Sequence, residues 1–194
     1  MYNKLNITEN TLQIISLFTN SFDRDYYVRE AGKLLNISPR TAQLIMEHLE
    51  NKGVIESKMR GRIKSYTLKT NELSKRYLIL TEEYKLITFM EQNLLVKEII
   101  EKIHPLVDGI GIIFGSYAKG THNKESDLDI FIAGKYNADE VMRISRTLGI
   151  EISVKCYPLK IFERNINQDF LLKEIMMSHI VFANAELFVQ KVLK

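Results

Sequence analysis

The chain has 194 residues, 45% of them apolar and 26% charged, with a formal net charge of +3, values that fit a globular protein with a real core and exclude a disordered or fibrous chain. No run approaches the ~18 consecutive apolar residues of a membrane span, the opening MYNKLNITEN lacks the basic-then-apolar order of a signal peptide, and the single cysteine excludes an internal disulfide, so a cytoplasmic protein is expected. The charge is unevenly shared: residues 1–80 hold 13 Lys/Arg against 8 Asp/Glu (+5) and the remainder 14 against 16 (−2), which predicts a polyanion partner for the front half.

In chain order, NITENTLQIISLFTN places Leu12, Ile15, Leu17 and Phe18 at helical spacing and predicts a first helix. VREAGKLLN predicts a short amphipathic helix ending at Asn36. SPRTAQLIMEHLENKG follows with Ser38 as N-cap, Pro39 in the first helical position and Gly53 at the C-terminal cap. Ile45, Leu49 and Val54 are expected on the inner face of this helix and its exit, opposite Leu34, Leu35 and Ile37. Next, VIESKMRGRIKSYTLKT reads as two strands around a turn at Gly61, and Lys58, Arg60, Arg62, Lys64 and Lys69 load it with positive charge and no acid between them.

Two helices joined by a tight turn and followed by a basic hairpin resemble the winged helix-turn-helix DNA-binding domain, over roughly residues 7–70. The resemblance implies that Arg40, Thr41 and Gln43 face the major groove of double-stranded DNA, with Arg60, Arg62 and Lys64 of the hairpin on phosphates or the minor groove. After it, residues 71–109 carry helical periodicity with no Gly or Pro before Pro105, as one long helix or two shorter ones. Its apolar positions Leu73, Tyr77, Leu80, Tyr84, Ile87 and Met90 are expected to pack the two domains together or to meet a second copy of the chain in a homodimer.

Further on, IGIIFG and DLDIFIAG read as strands covered on both faces, Asn137 caps a helix that Gly149 ends, and IEISVKCY is a third strand. Cys156 in that strand is expected to be a buried, inert thiol. Asp127 and Asp129, two apart on a strand, put both carboxylates on one face. Such a pair repels itself unless a cation lies between, and Mg²⁺ takes one or two carboxylates together with phosphate oxygens. Upstream, Gly115 allows close approach of backbone to a ligand, and the Ser116 hydroxyl opens one helical turn suited to an anion.

Gly115-Ser116, ten residues, then Asp127-Leu128-Asp129 resembles the signature of the DNA polymerase beta-like nucleotidyltransferases, particularly their minimal members. The resemblance implies transfer of a nucleoside monophosphate, with ATP the expected donor, onto an acceptor hydroxyl, two Mg²⁺ ions serving attack and departure. It also implies a third carboxylate on the later strand. Glu151 is the acid available there, although aligning the strand's end would put Ser153 at that place. Lys119 is placed to reach a phosphate, or is a solvated lysine. Tyr117 stacks or packs, and His122 is the one histidine on the loop of the site.

The architecture expected is a two-domain α+β chain: a winged helix over 1–70, a helical linker over 71–93, and a nucleotidyltransferase fold with a mixed sheet over 94–194. By resemblance its sharpest function is an antitoxin that attaches AMP to a HEPN-type toxin and represses its own operon. A transcriptional regulator whose nucleotidyltransferase fold senses a nucleotide without turnover is the alternative, and modification of a small molecule such as an aminoglycoside is a third.

Overall fold

The computed structural model describes residues 7–20, 22 and 24–193. Residues 1–6 of the segment read above for a signal peptide lie outside the described residues. The chain divides within one helix into two compact units, one running to Thr81 and one over Glu82–Val192.

The first unit contains α1 (Glu9–Thr19), a two-residue strand β1 (Tyr26–Tyr27), α2 (Val28–Leu34), α3 (Pro39–Asn51), and the hairpin β2 (Ile55–Arg60) and β3 (Ile63–Leu68). Local chemistry sets the helix ends. Thr8 and Thr11 bond reciprocally at the start of α1. At α3 the Ser38 hydroxyl accepts the Thr41 N–H at 3.0 Å, with Pro39 opening the helix. Gly61 is the first residue of the two-residue hairpin turn and has φ +63°, the conformation that a Gly-first turn of this kind needs and that favours glycine. The inner face of α3 is Ala42, Met46 and Leu49, which with Ile14, Phe18 and Tyr66 form a fully buried core. Ile45, expected there, is only half-buried, and Leu34 is exposed. The strand β1, unseen in the sequence because two residues carry no periodicity, pairs Tyr26 with Tyr66 and gives the sheet the order β1-β3-β2. Glu50 of α3 fastens the hairpin: it accepts from Ser57 and from Lys64, the latter at 2.6 Å.

The long apolar segment is two helices, α4 (Glu72–Gln92) and α5 (Leu94–Ile103), with Pro105 in a single 3-10 turn. The break falls at Asn93, whose side-chain amide donates to the Phe89 carbonyl at 2.8 Å and so closes α4. Among the described residues no helix is long and apolar enough to cross a membrane.

The second unit holds β4 (Val107–Ile113), α6 (Gly115–Ala118), β5 (Leu128–Tyr136), α7 (Ala138–Leu148), β6 (Ile152–Tyr157), α8 (Leu159–Asn165), α9 (Phe170–Met177), β7 (Ile180–Ala183) and α10 (Ala185–Val192). The sheet runs β6-β5-β4-β7, with β5 and β6 parallel and the other pairs antiparallel. It is the mixed sheet read from the sequence. Alternation along β5 sends Leu128, Ile130 and Ile132 into one cluster with Ile99, Val141 and Ile144, and turns Phe131 the other way onto Phe162, 5.8 Å between ring centres. Asp129 shares the parity of Phe131. Cys156 is exposed on the edge strand β6, contrary to the buried thiol expected from its apolar neighbours.

A charged trio lies in this unit. The Glu82 and His179 side chains are fully buried. Lys85 Nζ donates to both Glu82 oxygens at 3.0 and 2.9 Å, and His179 Nε2 lies 3.3 Å from Glu82 Oε1. Burial alone would raise the Glu82 carboxyl, but the Lys85 and His179 partners overcome it and hold the group down to about 2. Burial also pushes His179 below its ordinary value, helped by the Lys85 charge. Both folded values lie under the unfolded ones, so the stability they contribute is present above the unfolded values and is lost as pH falls. Chemical denaturation should therefore show stability declining from pH 7 toward pH 3. Glu82→Gln, which leaves Lys85 with a neutral partner, should cost ~3–5 kcal/mol at pH 7 and flatten the acid part of that curve.

Candidate functional site

Three backbone features bring the predicted residues together. The Phe114 N–H donates to the Asp129 carbonyl at 3.0 Å, which ties the exit of β4 to the start of β5. Gly115 then turns with φ +69° into α6. A β-carbon at Gly115 would fall 2.2 Å from Asp129 Oδ2, so the carboxylate rests on the bare α-carbon of the bend. Here the glycine is required twice, for its backbone angle and for the approach. Ser116, half-buried, follows at once, and its carbonyl accepts the Thr121 N–H at 2.9 Å, closing the turn.

Asp127 is exposed and stands just before β5, not on it as the sequence suggested; the ladder begins at Leu128. It remains two residues from Asp129 and acts on it electrostatically. The Asp129 carboxyl is raised above its ordinary value, first by burial, then by the negative charges of Asp127 and Glu174, with Lys155 and Lys119 pulling the other way. A carboxylate destabilised by its own neighbours is one that a cation would relieve.

Glu151, expected as the third carboxylate on the later strand, also precedes its strand: its carbonyl accepts the Leu128 N–H at 2.8 Å, and its side chain is exposed. The parallel register places Ser153 beside Asp129. Among the described residues no three Asp, Glu, His or Cys side chains gather closely enough to hold a metal ion. Asp127 and Asp129 thus have each other, and Glu151 does not complete a trio with them. The physical reason is register: Leu128 sits opposite Ile152, one pair before the level of Asp129.

Lys119 caps α6 and reaches Glu174 of α9, Nζ to Oε1 3.1 Å. Ser178 donates to the Ala118 carbonyl at 3.0 Å, a second tie between the end of α9 and the turn. Sequence reasoning missed Glu174, since a partner 55 positions away leaves no periodic signal. Tyr117 is buried and stacks on His122, ring centres 4.1 Å apart and nearly parallel; His122 Nδ1 is buried without a hydrogen-bond partner.

In the first unit, Arg40, Thr41 and Gln43 lie in the opening turns of α3, and each has local company. The Thr41 hydroxyl bonds Ser38 at 2.8 Å, and Gln43 accepts from Arg40 at 3.4 Å while donating to Glu47 at 2.8 Å. On the hairpin Arg62 is exposed, Arg60 pairs with Asp25 at 2.8 Å, and Lys64 is committed to Glu50.

Comparison with known proteins bears on the second unit. Residues 96–186 match the family model described as Polymerase beta, Nucleotidyltransferase. This segment is similar to a nucleotidyltransferase domain. Over 63 residues, 30% of this chain, the sequence is 36% identical to a Methanocaldococcus jannaschii protein whose name assigns it, provisionally, as a protein adenylyltransferase. The chain spans 63% of that relative's length. The matched nucleotidyltransferase segment contains both Gly115-Ser116 and the aspartate pair.

Gly115→Ala tests the approach of bend and carboxylate. The added methyl cannot share space with Asp129 Oδ2, and the positive φ adds strain on the order of 1–3 kcal/mol. The melting temperature should fall, and it should fall far less in Gly120→Ala, where a β-carbon meets nothing within 4 Å.

Proposed function

We propose that the second unit transfers a nucleoside monophosphate, AMP from ATP, to an acceptor hydroxyl in a metal-dependent reaction. The observation that carries this reading is the seating of Asp129 on the bare α-carbon of Gly115, with Asp127 beside it. Such a site sets a metal-binding pair against a phosphate-sized bend. Asp127 and Asp129 would hold Mg²⁺, which when bound neutralises charge on the phosphoryl oxygens. Ser116 donates to the outer phosphates, and Lys119 exchanges Glu174 for phosphate oxygen. The acceptor oxygen bonds the α-phosphorus as the bond to pyrophosphate breaks, and the hydroxyl proton is released.

The relative's name supports a protein as acceptor. The finer version, by resemblance, is an antitoxin that adenylylates a HEPN-type toxin while its first unit binds operator DNA as a winged helix. Arg40, Thr41 and Gln43 then read bases, and Arg60, Arg62 and Lys64 meet phosphates, with Arg60 and Lys64 leaving Asp25 and Glu50 to do so. The basic surplus of residues 1–80 supports that half of the proposal.

A second reading has its own support. Ser153 stands where a strand-borne third carboxylate would flank Asp129, an arrangement that suits a regulator holding a nucleotide without turnover.

Incubation with α-labelled ATP, Mg²⁺ and candidate acceptors separates the two. For the enzyme, label transfer occurs and Asp127→Asn and Asp129→Asn each reduce it by roughly 10²-fold or more; Ser153→Asp raises it and Glu151→Gln changes it little. Saturable nucleotide binding with no transfer to any acceptor supports the regulator.

For the first unit, Arg60→Ala and Arg62→Ala should weaken duplex binding almost equally across sequences. Each should reduce the slope of log affinity against log salt by about 1. Unchanged affinity and slope in fluorescence anisotropy would remove the hairpin from the interface.

A further inference from the structure

The four-stranded sheet of the second unit ends on two unlike edges. Every residue of β7 is buried. No residue of β6 is, and among the described residues no strand pairs with its outer side. The Leu128 N–H donates to the Glu151 carbonyl at 2.8 Å. In a parallel ladder alternate residues bond the neighbouring strand, so Ser153, Lys155 and Tyr157 turn their backbone groups to β5, while Ile152, Val154 and Cys156 turn theirs outward. A row of outward N–H and C=O groups is a template for another strand.

This edge borders the candidate site. Ser153 stands level with Asp129 and Lys155 with Phe131, so both side chains lie on the Asp129 face, where the Lys155 charge acts on the Asp129 carboxyl. Glu151 has the same parity and is exposed. Ile152 and Val154 pack against the core on the other face, which fixes the strand. The edge thus offers an acid, a short hydroxyl side chain and a base in a row toward the site.

We propose that the free edge of β6 takes up an extended segment of the acceptor protein as an antiparallel fifth strand, and so presents that segment's hydroxyl side chain, opposite Ser153, to the phosphate at Asp129. The proposal rests on the nucleotidyl-transfer reading and adds how the acceptor is held. Main-chain bonds to an edge give affinity, and the side chains beside it give specificity. Antiparallel pairing puts Ser153 in a non-hydrogen-bonded pair, where opposed side chains stand closest. The acceptor residue is then two strand spacings, roughly 10 Å, from Asp129, an interval that its side chain, the cation and the phosphate fill. Tyrosine spans more of it than serine or threonine. Charge sets the flanks. The residue two before the tyrosine meets Lys155 and the residue two after it meets Glu151, so the segment of best fit reads acidic, apolar, tyrosine, apolar, basic. In the transfer the tyrosine oxygen bonds the α-phosphorus as the bond to pyrophosphate breaks, and the hydroxyl proton is released.

The probe is a fluorescein-labelled peptide of that pattern, added to the full chain with Mg²⁺ and α-labelled ATP, and read both by anisotropy and by label transfer. N-methylation of the residue before or after the tyrosine removes an N–H that points at β6 and should weaken binding roughly tenfold or more. N-methylation of the tyrosine itself, whose N–H points away, should leave binding nearly unchanged. Val154→Pro removes an outward donor at an edge, where proline is tolerated, and should abolish binding with circular dichroism unchanged; the N-methyl series leaves the protein unaltered and decides the matter if that variant does not fold. Exchanging charges, Glu151→Lys with Lys155→Glu, should reverse a roughly fivefold preference for the acidic-first peptide over its basic-first counterpart.

Binding with this alternation but no label transfer supports the edge as the docking site and overturns the transfer reading instead. Label transfer to protein acceptors with the peptide unbound, binding indifferent to Val154→Pro, or binding lost on methylating the tyrosine nitrogen would overturn the proposal. So would a dimer in sedimentation equilibrium that Val154→Pro dissolves, since a second copy would then hold the edge.

Discussion

The contact between the Asp129 carboxylate and the α-carbon of Gly115 is the constraint around which the second unit is arranged. A strand must end, turn and return so that a residue without a β-carbon faces an acid on the neighbouring strand. The Phe114 N–H to Asp129 carbonyl bond holds the two strands in that relation, and the positive φ of Gly115 turns the chain before a side chain could intervene. The sheet then fixes the rest. Leu128, Ile130 and Ile132 are anchored in the core on one side, so Asp129 has only the other side to occupy. A one-residue slip in this strand would exchange the acid for a leucine.

Electrostatics around that contact are unbalanced by design of the fold. Burial, Asp127 and Glu174 all disfavour charge on Asp129, and Lys155 and Lys119 only partly offset them. Lys119 is shared, since Glu174 also holds it at 3.1 Å. The same register that aligns Asp129 puts Ser153 next to it.

Polar ties recur in both units. In the first unit, Glu50 joins α3 to the hairpin through Ser57 and Lys64, and Asp25 joins the hairpin to the segment before β1 through Arg60 and Ser65. Both ties occupy basic residues that the hairpin would otherwise offer to a polyanion. In the second unit Glu82 and His179 are fully buried beside Lys85, which is partly buried. There the partners satisfy one another, and loss of the Glu82 carboxylate removes the acceptor that Lys85 and His179 share.

Local rules were legible in the amino-acid order because they act over a few residues. The caps at Ser38 and Asn137, the turn at Gly61, the strand alternation of β5 and the Gly115-Ser116 to aspartate spacing all depend on neighbours within a dozen positions. Contacts between distant segments were not. The two-residue strand β1 exists only because β3 offers it a ladder, and Cys156 is exposed because β6 is an edge strand, which its apolar neighbours could not reveal. Glu174 reaches Lys119 through the path of α9, and Ser153 rather than Glu151 stands level with Asp129 because strand register is set by packing across the whole sheet. Sequence by itself determined where chemistry-bearing residues sit along the chain; the tertiary structure decided which of them meet, since side chains far apart in order are brought together only by the burial of the apolar surface between them.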